Sequence, residues 1–241
     1  MKTRSEARER IAQNILTHGH HVYIVSGGPT PRWAYTIGLS PDAGFELVLA
    51  GGTVFLKDDV LGILARLASH TARRDRTTSF VLPRWGAFRL GPVCRAWSER
   101  LLLGANDYYR TVVEALQVVP DQSHRTIDVP DLSRPLTRNA VTPWRWLDEP
   151  WPYEISKTSE AMTNLETLMG GRVTEAARWE EDYWEVFSGS GEEVNRDDAR
   201  LVPMGTLLGA DPSLEAIARL EIGEALRREP PGDWETWRGS E

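Results

Sequence analysis

The chain has 241 residues, of which 41% are hydrophobic and 26% charged, and its formal net charge at pH 7 is −7. These proportions are ordinary for a globular protein and exclude wholesale disorder, while the single cysteine, Cys94, excludes an internal disulfide. No apolar run approaches the length of a membrane span, and the charged start lacks the apolar region of a secretory signal. We therefore expect a cytoplasmic protein that has no membrane partner.

The charge is divided unevenly along the chain, which predicts two modules. Residues 1–150 carry 19 Lys and Arg against 15 Asp and Glu, whereas residues 151–241 carry 9 against 20. The length and this shift in charge both favour two small modules over one large domain. We place the first module at residues 1–130, a linker rich in Pro and Trp at 131–152, the second module at 153–229 and a mobile tail at 230–241.

The first module is predicted to be organised around the stretch Trp33–Gly52. An amphipathic helix over residues 3–17 and a strand from His20 to Val25 precede it. On both sides of Ser40–Gly44, apolar side chains alternate with small or polar ones, and Ser40–Gly44 itself is rich in turn-forming residues. The stretch therefore predicts a β-hairpin.

Four further elements are predicted in the first module. They are a helix from Lys57 to His70, strands over Ser79–Leu82 and Ala87–Ala96, and a helix from Asn106 to Leu116. Between Arg66 and Arg100 the chain holds eight arginines against two acidic residues, and we call this stretch the basic segment. Both a solvated positive surface and a binding site for phosphate or an acidic partner are consistent with it.

The second module is predicted to mix strands and helices in the same way. Its elements are a strand over Tyr153–Lys157, a polar helix over Ser159–Met169, a strand over residues 182–187, an apolar segment over Leu201–Leu208 and a helix over Ser213–Leu220 capped by Asp211. The chain as a whole is thus predicted to be an α+β protein of two small modules, each a mostly antiparallel sheet with packed helices.

The most distinctive segment of the second module is Arg178–Glu193, in which aromatic residues interleave with carboxylates. Carboxylates of this kind steer the approach of a basic partner, and tryptophans provide buried anchors at an interface. We predict a partner-binding surface here, formed by Trp179, Glu180, Glu181, Asp182, Trp184 and Glu185.

No motif in the sequence requires an enzyme. His18, His20 and His21 lack a nearby cysteine, and on a strand His18 and His20 would face one way and His21 the other, so no metal is predicted. Ser26 and Ser40 lack the strand-to-helix elbow of a nucleophilic serine. Arg95 would lower the pKa of Cys94 if that thiol were exposed, but we expect a buried, inert thiol. Glycine pairs occur without the spacing of a phosphate loop. No catalytic residue is assigned.

Three sequence elements of the first module carry a family resemblance. They are HGHHVYIV, the pair WAYTIGLS and FELVLAGG, and ALQVVPD after a double tyrosine. Through them, residues 11 to about 130 resemble the bacterial domain-of-unknown-function family 4262. That family has Gly-Trp where His20 and His21 stand, and a proline where this chain has Phe45. The resemblance implies fold and lineage but no activity.

The second module carries a different resemblance, in the elements ISK, WEVFSGSGEE, GADPSL and EALRRE. Through them, residues 153–229 are similar to the domain-of-unknown-function family 2185, described as an immunity-protein family of bacterial polymorphic toxin systems. The resemblance implies a cytoplasmic protein that neutralises a toxin by covering it, and it carries no catalytic residues.

Two functions are therefore predicted. The first is a non-enzymatic, immunity-type protein whose acidic, aromatic surface in the second module docks on a basic protein such as a toxin; it needs no cofactor and no nucleic acid. The alternative is an enzyme that binds flavin or another small ligand in its first module, by analogy with a flavin-reductase-like split barrel. The candidate ligand contacts of this alternative are His20, Tyr35, Thr36, Ser40 and Arg84.

Overall fold

The computed structural model describes residues 4–71, 78–229 and 232–237. The chain forms two compact units. The first comprises the residues up to Val25, Arg32–Arg125 and Val129–Pro135, and the second comprises Ser26–Pro31, Thr126–Asp128 and the chain from Leu136 onward. Each unit holds a six-stranded mixed sheet with helices, so the predicted α+β fold in two modules is confirmed.

The first unit contains six strands and five α-helices among its described residues. The strands are β1 (His21–Val25), β2 (Trp33–Ile37), β3 (Glu46–Ala50), β4 (Ser79–Leu82), β5 (Gly86–Pro92) and β6 (Ala115–Pro120). The helices are α1 (Arg4–His18), α2 (Ser40–Ala43), α3 (Lys57–Thr71), α4 (Arg95–Leu101) and α5 (Leu103–Tyr109). A 3₁₀ turn, Gln122–His124, follows β6.

The sheet of the first unit has the strand order β1-β2-β3-β6-β5-β4. β3 and β6 are parallel, and the other neighbouring strands are antiparallel. Every residue of β2 and β3 is buried. These two strands are therefore the centre of the unit, as the sequence predicts.

The connection between β2 and β3 confirms the predicted hairpin and adds a detail to it. The strands pair with Trp33 opposite Ala50 and Tyr35 opposite Val48. The reversal between them contains the single helical turn α2, which ends at Gly44, where φ is 84°. Glycine adopts this left-handed conformation at little cost, so the turn closes where the sequence places its most permissive residue.

Helix α3 provides one side of the first unit's core. Val60, Ile63, Leu64 and Leu67 are all fully buried and repeat at helical spacing. The Asp59 carboxylate accepts a hydrogen bond from the backbone N–H of Leu56, at 3.1 Å, which satisfies a free donor at the start of the helix. The predicted helix from Lys57 to His70 is confirmed.

The second unit contains six strands and two α-helices among its described residues. The strands are β7 (Glu160–Asn164), β8 (Glu175–Glu180), β9 (Tyr183–Phe187), β10 (Ala199–Pro203), β11 (Ala225–Arg227) and β12 (Glu235–Trp237). The helices are α6 (Leu165–Leu168) and α7 (Met204–Ala210), with 3₁₀ turns at Arg145–Leu147, Gly191–Glu193 and Pro212–Arg219.

The sheet of the second unit has the strand order β10-β7-β9-β8-β11-β12. β7 and β9 are parallel, and the other neighbouring strands are antiparallel. One face of this sheet packs on α7 and on the turn Pro212–Arg219, and its core contains Ala176, Trp184 and Val186. Asp211 accepts a hydrogen bond from the N–H of Ser213, at 2.9 Å, so the predicted cap is confirmed.

Two predicted elements of the first unit are wrong in part. The helix predicted over Asn106–Leu116 ends at Tyr109, because Arg110 takes a left-handed φ of 59°. Ala115–Pro120 is instead strand β6, paired with β3 on one side and β5 on the other. The strand predicted over Ala87–Ala96 ends at Pro92, and α4 begins at Arg95. At β6, pairing with distant strands outweighs the local pattern.

Three predicted elements of the second unit also differ from the structure. Tyr153–Lys157 is not a strand. Ser159–Met169 is strand β7 followed by the short helix α6, whose start is capped by the side chain of Asn164. Leu201–Leu208 is divided between β10 and α7. Asn164 stops the strand because its side-chain oxygen accepts the N–H of Thr167, at 3.1 Å.

The segment predicted as a linker, residues 131–152, is folded into the two units. Leu132 is buried in the first unit, and Trp144 and Trp146 are buried in the second. The indole N–H of Trp144 donates to the carbonyl of Asp128 at 2.8 Å, and that of Trp146 donates to Gly205 at 2.7 Å. Tryptophans with satisfied N–H groups act as anchors here, although the segment is rich in proline.

The predicted mobile tail is described only in part. Residues 230, 231 and 238–241 lie outside the described residues. Glu235–Trp237 forms strand β12, which pairs with β11 so that Trp237 stands opposite Ala225. This part of the predicted tail is therefore an ordered strand.

Candidate functional site

The acidic, aromatic segment predicted to bind a partner forms strands β8 and β9 and the turn between them. Trp184 pairs with Arg178 and Tyr183 pairs with Glu180, so the pairing skips Trp179. Trp179 is the extra residue of a β-bulge, a device that redirects a side chain at the edge of regular pairing. The sequence pattern alone does not reveal this bulge.

The face of the second sheet opposite its core is here called the outer face. Cross-strand register places Glu185, Ala177, Ala225 and Trp237 in one row across β9, β8, β11 and β12. Residues directly opposite each other on neighbouring strands project to the same side of a sheet. The row therefore runs from a carboxylate, across two alanines, to an indole.

Trp179 stands on this outer face beside Glu185. Its side chain is 48% exposed, and its indole N–H donates to Glu185 Oε2 at 2.9 Å. Covering this indole with another molecule would remove much apolar area from water. Trp179 lies where the sequence predicts an interface residue.

A pocket of about 190 Å³ lies between the two tryptophans of the outer face. We call it the indole pocket and define it by the residues Glu175, Ala177, Trp179, Glu185, Glu192 and Trp237, which are among its lining residues. The small side chain of Ala177 leaves room between the larger groups around it. The pocket thus combines aromatic walls with carboxylates.

Arg178 shapes the turn beside the indole pocket without neutralising its carboxylates. Its guanidinium donates to the backbone carbonyls of Glu180 at 3.3 Å, Glu181 at 2.7 Å and Leu220 at 2.8 Å. Its hydrogen bonds thus go to carbonyl oxygens, and the side chains of Glu180 and Glu181 are exposed to solvent. The turn keeps its negative charge.

The negative potential of this region also acts on Tyr183. Burial raises the pKa of the Tyr183 phenol, and the charges of Glu185 and Glu180 raise it further. Asp182 is exposed as well, and its carboxylate accepts a hydrogen bond from Ser159 Oγ at 3.2 Å. The turn therefore presents a group of exposed carboxylates.

Trp184 is the one member of the predicted surface that does not lie on it. Its side chain is fully buried in the core of the second unit, and its indole N–H donates to the carbonyl of Ile217 at 3.2 Å. The Arg178 guanidinium lies over its ring, 4.6 Å from the centroid. Trp184 and Trp179 project to opposite faces of the sheet, so Trp184 anchors the core and not an interface.

Three of the five ligand contacts predicted for the first module lie close to a buried residue that the sequence did not single out, Glu46. Its side chain has no exposure. Thr36 Oγ1 donates to Glu46 Oε2 at 2.7 Å, and Ser40 donates to Oε1 from both its hydroxyl, at 2.9 Å, and its backbone N–H, at 3.0 Å. The N–H groups of Gly38 and Leu39 donate to the same carboxylate. This cluster fixes the reversal between β2 and β3.

Tyr109 completes the cluster from a distant part of the chain. Its hydroxyl donates to Glu46 Oε1 at 2.9 Å and accepts the N–H of Gly38 at 2.8 Å. Burial, and then the charge of Glu46, raise the pKa of Tyr109 well above its ordinary value. His20 is close enough to feel the Glu46 charge, but burial dominates and lowers its pKa.

The remaining two predicted contacts of the first module lie apart from this cluster. The hydroxyl of the buried Tyr35 accepts the N–H of Gly104 at 2.9 Å, and burial raises the pKa of Tyr35 to about 12. Arg84 pairs with Asp59 at 3.0 Å and lies over the ring of Trp85. The structure therefore brings Thr36, Ser40 and His20 together and leaves Tyr35 and Arg84 elsewhere.

The first unit has a pocket of its own, of about 330 Å³, beside β4, β5 and β6. Arg89 and Arg125 line it, and neither forms a salt bridge within the described residues. At its edge Asp121 accepts hydrogen bonds from Ser123 Oγ, at 2.6 Å, and the His124 ring. These two bonds hold the pKa of Asp121 well below its usual range.

The basic segment is described only in part, since Arg73, Arg74 and Arg76 lie outside the described residues. Within the described ranges, no group of three or more His, Cys, Asp or Glu side chains is placed to hold a metal ion. No described helix combines the length and the apolar character that crossing a membrane requires.

Comparison with known proteins identifies the first module only. Residues 14–126 match the model of a family described as Domain of unknown function (DUF4262). This match confirms the resemblance predicted for the first module, and the resemblance of residues 153–229 stays a prediction. No curated protein and no solved structure matches the chain.

Proposed function

We propose that the chain is a non-enzymatic bacterial protein of the immunity type, which binds a basic protein partner, such as a toxin, through the outer face of its second sheet. The observation that carries the proposal is the exposed indole of Trp179, redirected by a β-bulge onto a face rich in carboxylates. Tryptophan is enriched among the residues that dominate binding energy, and carboxylates around it select a partner of opposite charge.

The partner is expected to be a protein rather than a small molecule, because the carboxylates project from a turn. Glu180, Glu181 and Asp182 are exposed at the end of the β8–β9 hairpin, outside the indole pocket. Charges on a projecting turn act over a distance and increase the rate of encounter with a large basic surface. In the cytoplasm this surface would cover the basic site of its partner.

The first experiment is native mass spectrometry of the protein purified from its own host, beside the same sample denatured. We expect a retained second protein that is rich in Lys and Arg. A retained small molecule without a protein would contradict the proposal and favour the second candidate below.

A pair of charge reversals then tests the surface. The double variant Glu181→Lys, Asp182→Lys should associate with the partner about tenfold or more slowly than the wild type at low ionic strength. This difference in rate should shrink as salt is added. The matched control is Glu154→Lys with Glu215→Lys, two exposed carboxylates outside the outer face that change the net charge equally. Equal rates for the two double variants would remove the proposed surface.

A second candidate function is favoured by the pocket of the first unit. Arg89 and Arg125 line a volume of about 330 Å³, which is at the lower end of the range of small-molecule sites. Two guanidinium groups would bind the phosphate of a small anionic ligand such as a flavin nucleotide.

This second candidate is tested with inorganic phosphate and flavin mononucleotide as probes in isothermal titration calorimetry. Binding should weaken about tenfold or more in Arg89→Gln with Arg125→Gln, because each charged contact stabilises the complex. Arg95→Gln with Arg134→Gln removes the same charge from exposed positions and is the control. Absence of heat with both probes would exclude this candidate.

A further inference from the structure

We propose that the indole pocket receives one arginine side chain of the protein partner, with its guanidinium between the indoles of Trp179 and Trp237. The inference rests on the proposed function, since it names the group that the outer face recognises. It assigns to Trp237, in the part of the chain predicted to be a mobile tail, a role in binding.

The register of the sheet creates the space for such a side chain. Trp237 on β12 is opposite Ala225 on β11, which in turn is opposite Ala177 on β8. Trp237 is therefore two strand spacings, about 10 Å, from Ala177. Because both intervening residues are alanines, an open volume remains between the indoles of β8 and β12.

The size of the pocket selects a single side chain. A volume of about 190 Å³ is smaller than the pockets that enclose drug-sized molecules, which begin near 300 Å³. A nucleotide would not be enclosed by it, whereas the extended side chain of one residue would. This size agrees with an anchor contributed by a larger partner.

The charges around the pocket select a cation. Glu185 uses Oε2 to accept the Trp179 N–H, and its Oε1 has no protein partner among the described residues. Glu192 also has no protein partner in the described part of the chain, and its carboxylate is exposed. Glu175 accepts the N–H of Gly191 at 2.9 Å, and its carboxylate lies 3.6 Å from the Arg227 guanidinium, the one basic group among the described residues that contacts a carboxylate of the pocket. Among the described residues, the carboxylates of Glu185 and Glu192 are not paired with a basic group, so the pocket keeps a net negative charge.

The aromatic walls distinguish arginine from lysine. A planar guanidinium stacks on an indole face and still directs its N–H groups outward in the plane. In that orientation one of its N–H groups donates a charge-assisted hydrogen bond to Glu185 Oε1, while Trp179 holds the same carboxylate in place through Oε2. A lysine ammonium makes the charge contact but does not stack, so it should bind more weakly.

The test uses three small probes on the full chain: the Nα-acetyl amides of arginine, lysine and citrulline. Citrulline has nearly the shape of arginine but no charge. The indole N–H resonances of Trp179 and Trp237 are followed by NMR during titration. We expect saturable shifts of both resonances with arginine at a millimolar dissociation constant, at least about threefold weaker binding of lysine, and no saturable shift with citrulline.

Glu185→Gln is the matched variant, because glutamine keeps an oxygen for the Trp179 N–H and removes the charge. It should weaken binding of the arginine probe by about fivefold or more. Glu215→Gln, on an exposed side chain outside the outer face, should leave it unchanged. The other resonances of the spectrum report that both variants are folded.

The outcomes separate this inference from the proposed function. If the arginine amide shifts neither indole, or if citrulline shifts them equally, the pocket is not an arginine site, whatever the charge reversals at Glu181 and Asp182 show. If the probe binds but Glu185→Gln leaves the affinity for the protein partner unchanged, the partner does not use the pocket and the inference is overturned. If Glu185→Gln weakens binding of both the arginine probe and the protein partner, the inference is supported.

Discussion

At the scale of single residues, the role of a side chain depends on which partners surround it. Glu46 and Glu185 both lie on strands, and the carboxylate of each accepts a side-chain hydrogen bond, from Thr36 and Trp179 respectively. Glu46 is fully buried and each of its oxygens has several donors, so nothing of it is left for a ligand. Glu185 has one oxygen engaged and one free among the described residues, so it alone is suited to binding.

The buried cluster predicts a specific loss of stability. Glu46→Gln should lower the free energy of unfolding by about 2 kcal/mol, because the amide NH2 cannot accept the hydrogen bonds made to the oxygen it replaces and the remaining oxygen is uncharged. Urea denaturation measures this. Glu114→Gln, on an exposed side chain one strand away, should stay within about 0.5 kcal/mol of the wild type. An equal decrease in the free energy of unfolding in both variants would show that the hydrogen bonds to the Glu46 carboxylate do not stabilise the fold.

Tyr35 predicts a dependence of stability on high pH. Burial raises its pKa to about 12 in the folded chain, whereas an unfolded tyrosine ionises near pH 10. The contribution of Tyr35 is therefore complete below about pH 10 and is lost, up to about 2 to 3 kcal/mol, as the pH rises from about 10 to 12. Tyr35→Phe should lose less stability over this window than the wild type.

The measurement is urea denaturation at several pH values from neutral to about 12. Tyr35→Phe should also be about 1 kcal/mol less stable at neutral pH, because the N–H of Gly104 loses its acceptor. Tyr108→Phe is the control, since the Tyr108 hydroxyl has no protein partner in the described part of the chain. Parallel curves for the wild type and Tyr35→Phe would contradict the role assigned to Tyr35.

At the scale of elements, the turns of the first unit depend on glycines for two different reasons. Gly19 and Gly86 both have left-handed φ angles, 78° and 90°. A Cβ atom on Gly19 would meet nothing within 4 Å, but one on Gly86 would lie 2.7 Å from both Asp121 Oδ2 and His124 Nδ1. The turn before β5 therefore needs glycine for space as well as for conformation.

Alanine substitutions at these two glycines separate the energetic cost of the left-handed backbone conformation from that of a steric clash. Gly19→Ala should destabilise the chain by about 1 kcal/mol, the cost of the left-handed conformation alone. Gly86→Ala should cost about 2 to 4 kcal/mol, because the Asp121 carboxylate and the His124 ring must also move away from the added Cβ atom. Shifts in the urea midpoint at constant slope report both values. A Gly86→Ala variant no less stable than Gly19→Ala would contradict the close packing.

The elements also show how much of the fold the sequence predicts. The β2–β3 hairpin and helix α3 follow from local signals, namely alternation, turn residues and helical spacing. Strand β6 does not, because its conformation is decided by pairing with β3 and β5, which are distant in sequence.

The candidate site was predictable in its location but not in its geometry. The segment around Trp179 is conspicuous in the sequence, yet the bulge and the strand that brings Trp237 beside it arise only from pairing between strands. Glu46 gave no signal either, because Tyr109, which completes its cluster, is 63 positions away.

At the scale of the whole molecule, each unit has its own hydrophobic core. The first is built on Ile63 and its neighbours in α3, and the second on Trp184 and its neighbours in β8 and β9. Domains with separate cores usually unfold as separate cooperative units.

Calorimetry tests this independence. Ile63→Ala and Trp184→Ala should each destabilise one unit by about 3 to 5 kcal/mol, because each leaves a cavity in a fully buried site. We expect two thermal transitions, one for each unit. Each substitution should lower the midpoint temperature of one transition and leave that of the other within a few degrees. Lowering of a single shared transition by both variants would show that the chain unfolds as one body.

The interleaving of the two units has a consequence for synthesis on the ribosome. Ser26–Pro31 belongs to the second unit but is translated long before Thr126, where the chain next contributes to that unit. Because domains usually complete their folding as their last segment emerges, these six residues are synthesised well before their own unit can fold. A nascent chain that stalls before Thr126 would therefore contain Ser26–Pro31 without the rest of its unit.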